Sequence, residues 1–467
     1  MNKLKTIFLL TASALMLFNC QEDADIDPLP DPDSEVPVDG ILGDMTEIEF
    51  EAGELYRVVG DLIVPEGASV TIPAGVTLEF QEGANGEGWF IDVFGSLYIM
   101  GEENNRVVLT ASEDLINSPK NNGIGQLWGG VIGTNVAGDL VILHTDILHA
   151  GAAAREENAM SLPATGGGGE LSAGDASYAL YFIRESGMRQ DGIFVLQHSR
   201  IGFCPDDAIR INGGKTLMTN NVFEVTGGTG GDAVNIKAAT SGDFAFNLFY
   251  NLATNGLKSA DTGPGERGRV HTNFYNNTIL NSGYRRSEPG RGAGLNYESD
   301  SYGDVYNNLL VNNRFGLRLV AGEAQPRVED VNYGYNWNYG SSQPTVDEFY
   351  PTSATASVGL IGNDPRTPVP TTDVAGGVGE NDPQFVNYDP SNFTFSGNAS
   401  ISTDPLARNI DPIPADADFR LSPNSPALTG GYVDFNFVHE SYTTLDGSMT
   451  FTPPAPQSYF GAYGAGN

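Results

Sequence analysis

Between His198 and Val320 the chain repeats one short pattern of small, apolar, polar and apolar residues. It occurs as Ala208-Ile-Arg-Ile, Ala233-Val-Asn-Ile, Gly256-Leu-Lys, Gly294-Leu-Asn-Tyr and Gly316-Leu-Arg-Leu; the third copy lacks the final apolar residue. A second set lies between these: Thr219-Asn-Asn-Val-Phe, Phe246-Asn-Leu-Phe-Tyr, Tyr275-Asn-Asn-Thr-Ile and Tyr306-Asn-Asn-Leu-Leu. Self-similarity at roughly 20 to 50 residues marks a solenoid or a propeller. Alternation with a period of two, and no helical period, predicts a β-solenoid with two or three strands per coil. Alternation also sends Ile209, Ile211, Val234 and Ile236 inward, and Arg210, Asn235, Lys258, Asn296 and Arg318 outward. With the coils in register, those five polar residues stack in one exposed column. The Asn residues of the second set are expected at turns, where Asn tolerates left-handed backbone.

The strand pattern begins earlier, with Leu55-Tyr-Arg-Val-Val-Gly-Asp-Leu-Ile-Val, and is punctuated by Pro65-Glu-Gly and Pro73-Ala-Gly. Before it, Met1 to Asn19 carries Lys3 and Lys5 and an apolar run too short to span a membrane, which reads as a secretory signal. Residues 20–45 are rich in Asp and Pro and read as an extended tether. The β-domain is expected over 46–467, less regular towards its C-terminal end. Two insertions, Gly151 to Gly174 and Gly283 to Gly292, read as loops between coils, which commonly wall binding faces.

Charge narrows the partners. The chain has 467 residues, 59 acids and 24 bases, and a formal net charge of −35. That balance excludes nucleic acid and anionic membrane surfaces as partners. A basic stripe on so acidic a chain is unexpected by composition and would attract anionic polysaccharide. Of the two cysteines, Cys20 ends the leader and Cys204 is left alone beside Asp206 and Asp207, which disfavours a nucleophilic thiol. His144, His149, His198, His271 and His439 form no zinc-binding motif.

Several stretches carry a resemblance. Leu17-Phe-Asn-Cys20 resembles a lipoprotein signal box, with Asn19 departing from the usual small residue; the resemblance implies acylation of Cys20. Gln21-Glu-Asp-Ala-Asp25 resembles the surface-export signal of Bacteroidota lipoproteins. Ile63-Val-Pro-Glu-Gly-Ala-Ser-Val-Thr-Ile-Pro-Ala-Gly-Val-Thr-Leu-Glu-Phe, then Gly95-Ser-Leu, Val107-Val-Leu-Thr-Ala-Ser and Trp128-Gly-Gly-Val-Ile, look like the opening coils of right-handed parallel β-helix lipoproteins from that group. Asp418-Phe-Arg-Leu-Ser-Pro-Asn-Ser-Pro-Ala-Leu resembles the closing segment of pectin-lyase-like β-helices, and Tyr459-Phe-Gly-Ala-Tyr-Gly the tail of the same lipoproteins. The implied fold is an all-β, right-handed parallel β-helix solenoid behind a lipoprotein leader and an acidic linker. The implied place is the outer membrane, anchored through lipid on Cys20 and exposed at the cell surface.

Three function classes follow as expectations. The leading one is a non-catalytic glycan-binding or envelope-associated module, working beside an outer-membrane receptor. The second is a calcium-dependent polysaccharide lyase acting on acidic glycans. In the β-helix lyases that the chain resembles, an Arg or Lys takes the proton alpha to a uronate carboxyl while calcium neutralises the carboxylate. Here Arg210 or Lys258 would be the base, and Asp206, Asp207 and Asp232 the candidate metal ligands, with Ca2+ as the cofactor. The third is a structural or adhesive surface protein, in which acids neutralise the column. Tyr333, Tyr335, Trp337 and Tyr339 alternate with smaller residues and are either packed or a stacking platform for sugar rings.

Overall fold

The computed structural model describes residues 40–161, 171–183, 192–228, 230–263, 268, 270–286, 290–351, 359–393 and 410–466. The leader, Cys20 and the tether up to residue 39 lie outside the described residues. The first strand, Gly40–Asp44, falls within the stretch read as tether. It pairs in parallel with Leu55–Val64, so the solenoid opens a few residues earlier than the strand pattern suggests.

Twenty-six strands join into a 26-stranded sheet whose pairings are all parallel. The chain winds as a right-handed parallel β-helix with three faces. The first face stacks Phe90–Val93, Gly130–Gly133, Leu180–Ile183, the opening halves of Ile209–Thr219 and Val234–Ala245, then Leu257–Ala260, Ala293–Glu298 and Phe315–Leu319. The second face continues through strands such as Ile193–Gln197 and His271–Tyr275. The third runs through Val222–Thr226, Leu248–Tyr250, Thr278–Leu280 and Leu309–Val311.

The alternation in the repeats explains the core. Ile209, Ile211, Val234, Ile236, Leu257, Leu295, Leu317 and Leu319 all point inward and are buried in one continuous apolar cluster. Each such side chain contributes about 1.5–3 kcal/mol on burial. The defective third repeat places Ser259 at the inward position, where it accepts a hydrogen bond from the Thr272 hydroxyl at 2.9 Å. Trp128 is wholly buried and stacks on Phe80 with centroids 4.1 Å apart. Gly129 next to it is obligatory, because a Cβ there would collide with the Phe90 ring.

The Asn-Asn pairs divide two tasks at the corner between the second and third faces. Asn220, Asn276 and Asn307 take left-handed φ values of 58°, 49° and 59°. Their successors Asn221, Asn277 and Asn308 turn inward and, with Asn247 and Asn336, form a buried ladder. Asn221 donates to Asn247 Oδ1 at 2.9 Å, and Asn247 to Asn277, Asn277 to Asn308 and Asn308 to Asn336 at 3.0 Å. Stacked amides thereby satisfy corner polar groups that burial would otherwise strand. The outward members hold the C-terminal segment instead: Asn276 donates to the Tyr459 carbonyl at 2.7 Å and Asn307 to that of Tyr432 at 2.6 Å. That segment returns along the solenoid as a strap over the outer sides of the second and third faces. Two buried carboxylates fix it, Asp243 accepting from the Tyr442 hydroxyl at 2.8 Å and Asp139 from the Leu445 amide at 2.8 Å.

Candidate functional site

The outward column of the first face is in register. Arg210 pairs with Asn235, Asn235 with Lys258, Lys258 with Asn296, and Asn296 with Arg318. It is less exposed than the alternation alone predicts: Asn235, Asn296 and Arg318 are 6%, 1% and 4% exposed, while Arg210 and Lys258 are half-buried. Asn235, Lys258 and Arg318 of the column line a cleft of about 590 Å³, with the acids Asp206, Asp207, Asp232, Glu298 and Glu323 and the cations Arg286 and Arg291. The acids singled out in the sequence therefore share one groove with Lys258 and Arg318, and Arg210 does not line it.

The corner between the third and first faces explains where the acids sit. Asp207, Asp232 and Asn255 occupy equivalent positions in successive coils and form a second ladder. Asp207 Oδ1 accepts the Asp232 amide at 2.7 Å, Asp232 Oδ1 accepts the Asn255 side-chain amide at 2.7 Å, and Asn255 Oδ1 accepts the Ala293 amide at 2.7 Å. The inner carboxylate oxygens thus stitch coils together, and the outer ones face the column. Asp207 Oδ2 accepts from Asn235 at 2.8 Å and lies 3.8 Å from Arg210. Lys258 Nζ lies 4.0 Å from Asp232 and 3.1 Å from Glu298, and Glu298 also accepts from Asn296 at 3.1 Å.

Burial pulls the Lys258 ammonium down, but Asp232, Glu298 and Asp207 outweigh it and hold it above its ordinary value. Burial pushes Glu298 up, yet Lys258 and its hydrogen bonds bring it below the usual carboxylate range. The two therefore form a charged pair. Burial, then the neighbouring Asp207 and Asp232, raises Asp206; burial raises Asp232 against the pull of Lys258. Burial lowers Arg318 to about 10, with Glu298 opposing and Arg291 adding to the effect.

These arrangements bear on a cation. Asp207 and Asp232 each spend one oxygen on the ladder, and their outer oxygens face cationic side chains. Among the described residues, no group of three or more His, Cys, Asp or Glu side chains is placed to hold a metal ion. The donor set does not fit calcium, which takes six to eight oxygens.

The aromatic candidates do not form one exposed platform. Trp337 and Tyr339 are buried under the strap, with the Trp337 Nε1–H donating to the Asn381 carbonyl at 2.8 Å. Tyr335 stacks on Tyr432 with centroids 5.2 Å apart, and the Tyr333 hydroxyl donates to the Pro368 carbonyl at 2.9 Å. A solenoid corner separates Tyr333 from Trp337, so the alternation along the chain does not place them on one face. Cys204 is wholly buried, and burial pushes its thiol up to about 12.

A second charged cluster was not singled out in the sequence. The same column continues upstream through Tyr181 and Ile132 to Asp92. There, residues 151–161 of the first inserted loop fold over the face. Arg155 pairs with Asp61 and lies 5.3 Å from the Trp89 ring, and Asp92 accepts the Ala159 amide at 3.3 Å. Burial, then Asp61, pushes Asp92 up to about 7. The signal was an Asp at an outward position of the apolar strand Phe90–Val93.

The fold and the cleft define a parallel β-helix with one polar, charge-paired groove along its first face. No family model, curated protein or solved structure matches the chain.

Proposed function

We propose that the protein is a non-catalytic glycan-binding module whose ligand lies along the first-face cleft. The observation that carries this reading is the pairing of Lys258 with Glu298 and Asp232, which fixes donors and acceptors on a rigid floor with one polar side chain per coil. Neighbouring rungs lie roughly 4.8 Å apart, a spacing suited to the hydroxyls of an extended sugar chain. On the resemblances in the sequence, the module belongs with pectin-lyase-like surface lipoproteins of Bacteroidota type. It is held at the outer membrane by lipid on Cys20, beside an outer-membrane receptor.

The shared groove of acids and bases favours a second reading, the polysaccharide lyase. A base needs a lowered pKa, whereas Lys258 is held charged and Arg210 is engaged by Tyr178 and Asp207. Absorbance in the unsaturated-uronate band, with acidic polysaccharides and with or without calcium, separates the two. Binding on a glycan array without any rise in absorbance supports the module. A calcium-dependent rise that Lys258→Ala or Arg210→Ala removes would establish the lyase. Neither binding nor a rise would leave a structural or adhesive protein.

A further inference from the structure

The cations of the column are not equivalent. Arg210 and Lys258 have acids within ion-pair reach, whereas Arg318, at 4% exposure, has none among the described residues. Its Nε–H has no hydrogen-bond partner there. Glu298 acts on it electrostatically, but Glu298 is committed to Lys258 and Asn296. A desolvated guanidinium without a counter-ion is costly, and an oxyanion placed against it recovers much of that cost. Two acceptors on the same column are also unpartnered, Asn296 Oδ1 one rung away and Asn235 Oδ1 two rungs further, but both atoms are wholly buried and Asn296 does not line the cleft. Apart from Arg318 the lining carries five acids, Asp206, Asp207, Asp232, Glu298 and Glu323, against three cations, Lys258, Arg286 and Arg291, and that excess of negative charge opposes a polyanion.

We infer that Arg318 is an oxyanion subsite at one end of the cleft, and that the ligand is a largely neutral glycan carrying a single carboxylate or sulfate ester, not a polyanionic chain. One anionic group sits on the Arg318 fork, and the adjoining sugars lie along Lys258 and Asn235, which line the same cleft. This rests on the glycan-binding reading for the sugar but not for the anion.

Calorimetry on the full-length protein tests it with four tetrasaccharides of one backbone: neutral, carrying one terminal uronate, carrying one sulfate ester, and fully uronate. A singly charged probe is expected to bind about tenfold more tightly than the neutral one, and the better of the two identifies the oxyanion. Arg318→Gln should bring that ratio to about one. Tightest binding of the fully uronate chain, or a ratio that survives Arg318→Gln, would overturn the inference. The wild-type protein gives an independent readout: inorganic sulfate should compete the singly charged probe down to the neutral affinity without weakening the neutral probe, and equal losses would overturn it. If no sugar binds but sulfate or acetate binds wild type and not Arg318→Gln, the subsite stands and the glycan reading fails. If sugars bind without preference for charge, the reverse holds.

Discussion

The two ends of the first-face column use the same backbone in opposite ways. Upstream, the inserted loop covers Asp92, Ile132 and Tyr181, with Ala159, Met160 and Tyr178 packed among them. Downstream, Asn235, Lys258 and Arg318 line an open cleft. Both ends bury charge, but the upstream cluster serves to hold a roof and the downstream one leaves a guanidinium with no counter-ion among the described residues. A solenoid makes one rung much like the next, so what decides between wall and site is what lies over the rung.

The largest effect expected from breaking this contrast is at Asp92. Its folded pKa of about 7 lies above its ordinary 3.8. Between those values the folded state keeps a proton that the unfolded state releases, so stability falls as pH rises through that window. The full shift corresponds to about 4 kcal/mol. Asp92→Asn should remove that component of the pH dependence and raise the denaturation midpoint at pH 7.5; an unchanged profile from pH 4 to 7 would refute the assignment. Next comes Lys258→Met in the cleft, which leaves Glu298 and Asp232 unpaired and should cost about 3 kcal/mol by urea unfolding. Arg155→Ala, at the roof, should cost about 2 kcal/mol and speed proteolysis within residues 151–161, while glycan affinity at the distant cleft stays as in wild type. The smallest effect is Tyr333→Phe, outside both clusters, where loss of the bond to Pro368 should cost about 1 kcal/mol and leave binding unchanged.

Much of the frame was legible in local pattern. The repeats that begin at Ala208, Ala233, Gly256, Gly294 and Gly316 all fall on the first face, and the column they imply is in register. What escaped the pattern lies where distant segments meet. Asp207 and Asp232 read as possible metal ligands because carboxylates look alike in a sequence. Their inner oxygens are instead rungs of a ladder completed by Asn255. Tyr335 and Trp337 read as one stripe because alternation does not reveal that a corner intervenes.

By itself, then, the sequence determined the alternation, the period and the inward and outward sets, because strand geometry is local and parallel stacking repeats it from coil to coil. Only the tertiary structure decided which outward residues are covered, since the strap and the inserted loop reach across many coils to bury some faces and leave others open. It also decided which charges are paired. Lys258 finds its acids one rung away on either side, and Arg318 finds none among the described residues, although both occupy the same place in the repeat. Pairing depends on distances of a few ångströms between coils, and the order of residues along one strand does not encode them.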